Sequence, residues 1–193
     1  MIKQLWSTSL LHDSMQEDIY SPFLQKILTD PHANNIINIP DGEKSTDILN
    51  DTSIEVQNFK NKIIYPAFDN YLKSTLDRSI SDWGGYKFKS WLIKGSNSYN
   101  VNYHNHRGSQ ITSVFYLLVD ELGSGGNVTF TDPRQNSNRG YDSSFLPWFD
   151  PLIITPKTGD FVIFPSFLYH FVSTYGGGIR IAMPVDLFLY TNS

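Results

Sequence analysis

From Tyr86 onwards the chain is written in short apolar runs of two-residue rhythm, cut apart by clusters of turn-forming residues, and this punctuated alternation limits the fold more than any other feature. Tyr86-Lys87-Phe88-Lys89-Ser90-Trp91-Leu92-Ile93-Lys94 sets lysines on one face of an extended strand, because successive side chains of a strand point to opposite sides. Further strands are expected at 110–119, 127–131, 152–155, 160–164, 167–173 and 179–188. The breaks between them carry Gly123-Ser124-Gly125-Gly126, Pro156-Lys157-Thr158-Gly159 and Gly176-Gly177-Gly178, residues that supply the backbone angles turns require. Many short strands with such turns make a mainly β fold, a sandwich or jelly roll.

The first third reads differently. Ser14-Met15-Gln16-Glu17 has the spacing of a capping box, and Ile19, Phe23 and Ile27 then recur at helical spacing up to Asp30-Pro31. Thr52-Ser53-Ile54-Glu55 repeats the device and opens an apolar stripe through Val56, Phe59, Ile63, Phe68, Tyr71 and Leu72. Pro66 falls within that stripe and is expected to kink or break the helix. Residues 31–51, rich in Asn, Asp, Gly and Pro, read as an exposed loop. The 193 residues, 40% of them hydrophobic, suffice for one core. The expectation is therefore a single domain over 1–193, with helical support over about 1–80 and a β core over about 86–190.

Composition removes several functions. There is no cysteine, so disulfides, zinc-thiolate sites and thiol nucleophiles are excluded, and any transition metal must rest on histidine and oxygen. The net charge is −4 with Lys and Arg scattered, which leaves no dedicated nucleic-acid surface. No segment approaches the roughly 20 apolar residues of a membrane helix. A soluble cytoplasmic protein with no membrane partner is expected, in the host cytoplasm if the chain is phage-encoded, an origin that its abundance of Asn, Lys and Ile suits.

The candidate chemistry lies in the histidines. Of five, His104 and His106 form a His-x-His pair, and in an extended segment residues i and i+2 point to the same side, so both imidazoles can reach one ion. Gly159 to His170 reads as a strand, a turn and a returning strand that delivers a third histidine. Imidazoles on rigid strands, with coordination positions left open, suit Fe(II) chemistry. Ten residues beyond His170 comes Arg180, between Ile179 and Ile181, whose guanidinium can bind a carboxylate bidentately. The plainer readings are a polar sheet edge for the His pair, a structural partner in Asp160 or Asp186 for Arg180, and core packing for Tyr116, Trp91 and Trp148. Asp132-Pro133-Arg134 reads as a turn, with Arg134 a candidate for touching substrate at a pocket mouth, and His12 and His32 read as solvated.

Ser90-Trp91-Leu92, Tyr103-His104-Asn105-His106, Thr112-Ser113-Val114-Phe115-Tyr116-Leu117, Thr131-Asp132-Pro133-Arg134, Gly159 to His170 and Arg180-Ile181 occur in that order. Together they resemble the 2-oxoglutarate-Fe(II) oxygenases of marine bacteria and phages, within the prolyl-hydroxylase-like superfamily. The resemblance implies a double-stranded β-helix (jelly roll) buttressed by the N-terminal helices. It also implies Fe(II), 2-oxoglutarate as co-substrate, O2, and hydroxylation of a substrate with release of succinate and CO2. Carried over by position, it makes His104 the first iron ligand and His170 the distal one. Arg180 then holds the remote carboxylate of 2-oxoglutarate, with Tyr116 beside it. His106 stands where the pattern His-x-Asp or His-x-Glu has a carboxylate. A three-His site is the expectation there, with Asp132 the alternative metal ligand. Peptide, amino acid, nucleobase and sugar substrates all stay open.

Two rivals remain at this point. Gly159, Pro165 and His170 resemble the second motif of cupins, so a three-His cupin metalloenzyme without 2-oxoglutarate is one. Gln110 stands where that family has a glutamate, and Arg180 would have no task. A non-enzymatic jelly-roll binding module is the other, and it leaves the three histidines and Arg180 unexplained.

Overall fold

The computed structural model describes residues 7–29, 40, 42–45, 47–96, 98–121, 123–134 and 150–191. Its strands are β1 (Leu11–Ser14), β2 (Gly85–Ser90), β3 (Ile93–Gly95), β4 (Tyr99–His104), β5 (Ile111–Val119), β6 (Ser124–Gly125), β7 (Val128–Phe130), β8 (Leu152–Ile154), β9 (Asp160–Pro165), β10 (His170–Gly176) and β11 (Arg180–Tyr190). They form two antiparallel sheets. The larger runs β1-β9-β5-β11-β2, with β3 also on β11, and the smaller runs β4-β10-β7-β8, with β6 on β10. This is the expected double-stranded β-helix, mainly β and supported by helices.

Side-chain parity separates two cores. Along β11, Ile181, Met183, Val185 and Leu187 join the helices in one cluster, while Ala182 joins Tyr116, Val162, Phe164, Val128 and Phe130 between the sheets. β5 and β9 divide likewise, Phe115 and Phe161 facing the helices and Val114 and Val162 the interior. Because these strands are covered on both faces, 111–117 and 180–187 are buried without interruption, and the polar residues among them, Thr112, Ser113, Arg180 and Asp186, are buried too.

The helices are α1 (Glu17–Thr29), α2 (Ile54–Phe59) and α3 (Tyr65–Leu76), the last two joined by a π turn over Lys60–Ile64. Pro66, expected to kink or break the helix, does not break it. It sits in the first turn of α3, directly after the π turn, where the widened backbone accommodates a ring that would otherwise meet the carbonyl four residues back. Phe59 stacks on Phe23 of α1 at 4.3 Å between centroids and meets Phe115 of β5 edge-on at 5.8 Å, tying the helical layer to the sheet.

Other expectations need correction. Neither capping box forms. Ser14 ends β1 and its hydroxyl donates to Asp160 at 3.2 Å, and the carbonyl of Gln16 accepts the first helical amides. The Ser53 cap makes no side-chain bond, its own N–H donating to Asp51 at 2.7 Å. The strand expected over 86–94 divides at Trp91-Leu92, and β4 lies outside the strands expected. Part of 31–51 is not exposed, since Ile48 and Leu49 are buried in a 3-10 turn. The expected helix end at Asp30-Pro31, with His32 and Trp148, lies outside the described residues. Among the described residues, no helix is long and apolar enough to cross a membrane.

Candidate metal centre and co-substrate cleft

β4 and β10 pair antiparallel with His170 directly opposite His104, so both imidazoles leave the smaller sheet on its inner face. Their ring centroids are 4.3 Å apart. His106 lies two residues past the end of β4 and is fastened by its backbone N–H, which donates to the carbonyl of Ser166 at 3.0 Å. Its ring is 5.3 Å from each of the other two. One ring nitrogen from each histidine falls within 4.8 Å of the others, a spacing at which the three could hold one metal ion.

Each Nδ1 already has a partner. His104 Nδ1 is 2.7 Å from the carbonyl of Asn102, His170 Nδ1 is 3.1 Å from that of Leu168, and His106 Nδ1 is 2.9 Å from Oδ1 of Asp186. These acceptors assign the proton to Nδ1 in all three rings and leave the Nε2 lone pairs for a metal. Burial, reinforced by the neighbouring His104, pushes His170 down to about 3. Burial lowers His104 as well, although the Asn102 carbonyl works against it. Neutral imidazoles are the form a metal requires.

Apolar rings wall the centre. Phe164 meets His106 and His170 edge-on, and Phe130 lies beside His170. Trp91, expected only to pack, stacks on His106 at 5.9 Å and carries the Lys44 ammonium 4.5 Å over its own ring.

The histidines open into a cleft of about 1210 Å³ that also contains Tyr116 and Arg180. Arg180, the first residue of β11, is 4% exposed. Its guanidinium stands 5.1 Å over the Tyr116 ring, and its Nε has no hydrogen-bond partner. Burial raises the Tyr116 hydroxyl above its ordinary pKa despite the opposing pull of Arg180. Neither suggested carboxylate serves Arg180. Asp160 accepts from Ser14 and the Lys157 amide and lies 3.3 Å from His12, which is therefore partnered, and Asp186 belongs to His106. A buried cation with an unmet donor in a concave cleft is a receptor for an anion.

Asp132 and Arg134 lie elsewhere. They line a separate recess of about 230 Å³, where Arg134 Nε donates to Asp132 at 3.0 Å, and Asp132 is not in the three-histidine group. Sequence reasoning missed the role of Asp186. The signal was available, because 180, 182, 184 and 186 share parity on one strand and all four line the cleft.

A profile of the 2OG-Fe(II) oxygenase family matches residues 89–186, the span holding the three histidines, Tyr116 and Arg180. Among solved structures, the fold is similar to a prolyl-4-hydroxylase from Pseudomonas putida (11% identity, 96% of this chain and 90% of that one, TM-score 0.58). It is similar to the viral collagen prolyl hydroxylase of Paramecium bursaria Chlorella virus-1 in its 2OG complex (13% identity, 95% and 96%, TM-score 0.57). It is also similar to HygX from Streptomyces hygroscopicus with nickel and 2-oxoglutarate bound (10% identity, 94% and 82%, TM-score 0.61). At these identities the likeness is one of fold. No curated protein matches by sequence.

Proposed function

Since the chain belongs to the 2OG-Fe(II) oxygenase family, and is thereby an enzyme that uses Fe(II), 2-oxoglutarate and O2, we propose that His104, His106 and His170 are its iron ligands. In the same reading Arg180, with Tyr116, anchors the remote carboxylate of 2-oxoglutarate. The single observation that carries it is the meeting, in one cleft, of three imidazoles with free Nε2 atoms and a buried arginine with an unmet donor. When bound, Fe(II) supplies the O2 chemistry that couples conversion of 2-oxoglutarate to succinate and CO2 with hydroxylation of a substrate C–H bond.

The chain's own residues do the rest. Backbone carbonyls of Asn102 and Leu168 fix two imidazoles in their ligating tautomer. Phe130, Phe164 and Trp91 keep water from the inner wall of the centre, and the Arg180 guanidinium holds the co-substrate at a fixed orientation to it. The cupin and binding-module alternatives both lack a task for Arg180.

Anaerobic calorimetric titration of 2-oxoglutarate into Fe(II)-loaded protein tests the reading. Binding that requires the metal, weakens in Arg180→Ala and vanishes in His170→Ala is the expected outcome. Binding that is independent of metal, or indifferent to both substitutions, would remove these residues from the site.

A further inference from the structure

His106 occupies a position where a carboxylate ligand would bring a negative charge to the metal, and a carboxylate is present one hydrogen bond further out. We propose that Asp186 supplies that charge through His106, so that this three-histidine centre keeps the net charge of a centre built from two histidines and one carboxylate. The proposal rests on the iron-site reading above and deepens it.

The geometry is specific. His106 Nδ1 lies 2.9 Å from Asp186 Oδ1, and the two side chains are 6% and 9% exposed. Oδ1 also accepts from the Thr112 hydroxyl at 2.8 Å. Because the proton of Thr112 is spent there, Ser166 donates to Thr112 at 2.8 Å, and Ser109 donates to Ser166 at 2.8 Å. A run of hydroxyls all pointing their protons one way, Ser109 to Ser166 to Thr112 to Asp186, needs a terminal group that only accepts. An ionised carboxylate is such a group, and such chains strengthen each bond within them. The same Ser166 holds the His106 backbone amide, so ring and main chain of the ligand are fixed by one network.

The charge sum gives the arrangement its meaning. A divalent ion with three neutral imidazoles carries two positive charges, and Asp186 brings the sum to one, as a directly ligating carboxylate would. Because Asp186 acts from behind the ring, it takes no coordination position, and as many remain open as in the His-x-Asp pattern. A carboxylate behind an imidazole also makes the ring a stronger donor to the metal. Asp186 is thus a positioning residue that acts through His106.

Two consequences distinguish charge supply from mere orientation. Asp186→Asn keeps an oxygen that can accept from Nδ1 but removes the charge. His106→Asp, which writes the usual pattern into the sequence, sets two carboxylates against each other across the same short gap. The double variant His106→Asp/Asp186→Asn moves the charge from behind the ring to the metal itself.

The test uses Co(II) as a spectroscopic probe and measures its affinity by chelator competition in the full chain, with circular dichroism confirming the fold of each variant. Asp186→Asn should bind Co(II) ~10–100-fold more weakly than the wild type, the usual loss for such a partner. His106→Asp should also bind more weakly, and the double variant more tightly than His106→Asp. Wild-type affinity in Asp186→Asn, or losses in the double variant that simply multiply those of the singles, would overturn the proposal while leaving the iron site standing. If Asp186→Asn does not fold, the comparison of His106→Asp with the double variant decides alone, a tighter double variant supporting the proposal and an equal or weaker one overturning it. A wild type that holds no Co(II) more tightly than His170→Ala would overturn the iron-site reading itself, and this proposal with it.

Discussion

His104 and His170 stand opposite one another in the register of β4 and β10, so two of the three proposed ligand positions are set by a single antiparallel pairing and not by a loop. Their rigidity is that of the sheet. Truncation of His170 removes one ligand without disturbing the other's backbone, and the loss should exceed the ~10–100-fold typical of losing an outer-shell partner. Inductively coupled plasma analysis of Fe(II)-reconstituted His170→Ala should find the protein essentially iron-free, while full occupancy would remove His170 from the centre.

Acid should destabilise the metal-free protein through the same residue. His170 is held at about 3 in the folded chain, mainly by burial, against an ordinary value near ~6.5 when unfolded. Between those values the unfolded chain binds a proton that the folded chain does not, so stability is complete above the upper value and is lost as pH falls toward the lower one. His104, lowered in the same direction, adds to the slope. Urea midpoints measured between pH 7 and pH 3, values spanning that window ~6.5 to ~3, should decline steadily, and His170→Leu should flatten the decline. Equal slopes in the two proteins would contradict the assignment of its cause.

Arg180 and Tyr116 make separable contributions. Hydrogen bonds to a charged partner contribute about 1.5–3 kcal/mol, so Arg180→Ala should weaken 2-oxoglutarate binding by ~10- to 150-fold while leaving iron in place. Arg180→Lys should recover only part of this, since an ammonium cannot make the paired bonds of a guanidinium. Tyr116→Phe removes one hydroxyl and should cost about 0.5–1.5 kcal/mol. Calorimetry on the metal-loaded protein would reveal the order, and a Tyr116→Phe effect larger than that of Arg180→Ala would reverse the roles.

Phe59 offers a control away from the chemistry. It is fully buried between Phe23 and Phe115, and Phe59→Ala should destabilise the fold by about 3–5 kcal/mol. Metal affinity should be unchanged below the melting transition. A parallel loss of metal would mean that the helical layer, and not only the sheets, sets the ligand geometry.

Much of this was legible in the sequence, and the illegible parts have physical reasons. β5 and β7 to β11 announced themselves through turn residues between apolar runs, whereas β6 falls in the Gly-rich stretch read as a turn, and His104, His106, His170 and Arg180 were marked by their spacing. β4 was hidden because Tyr99–His104 carries only tyrosine and valine between its asparagines and is partly exposed along its length, so its apolar signal is weak. Ser14 matched a capping pattern but pairs with Asp160, a partner far along the chain that no local rule can supply. Asp186 was read only as a candidate for Arg180, although its parity with Arg180 places it on the cleft face, because which carboxylate meets which cation depends on the position of His106 beyond the end of β4. Pro66 was read as a kink or a break because a π turn leaves no sequence mark of its own.

The most direct measurement is succinate formed from 2-oxoglutarate by the Fe(II)-loaded protein in air, without added substrate, in parallel with His170→Ala and Arg180→Ala. The account predicts slow turnover by the wild type that disappears in His170→Ala, and in Arg180→Ala is recovered only at much higher 2-oxoglutarate concentrations. Turnover that survives truncation of His170, or none by a wild type shown to hold both iron and 2-oxoglutarate, would contradict it.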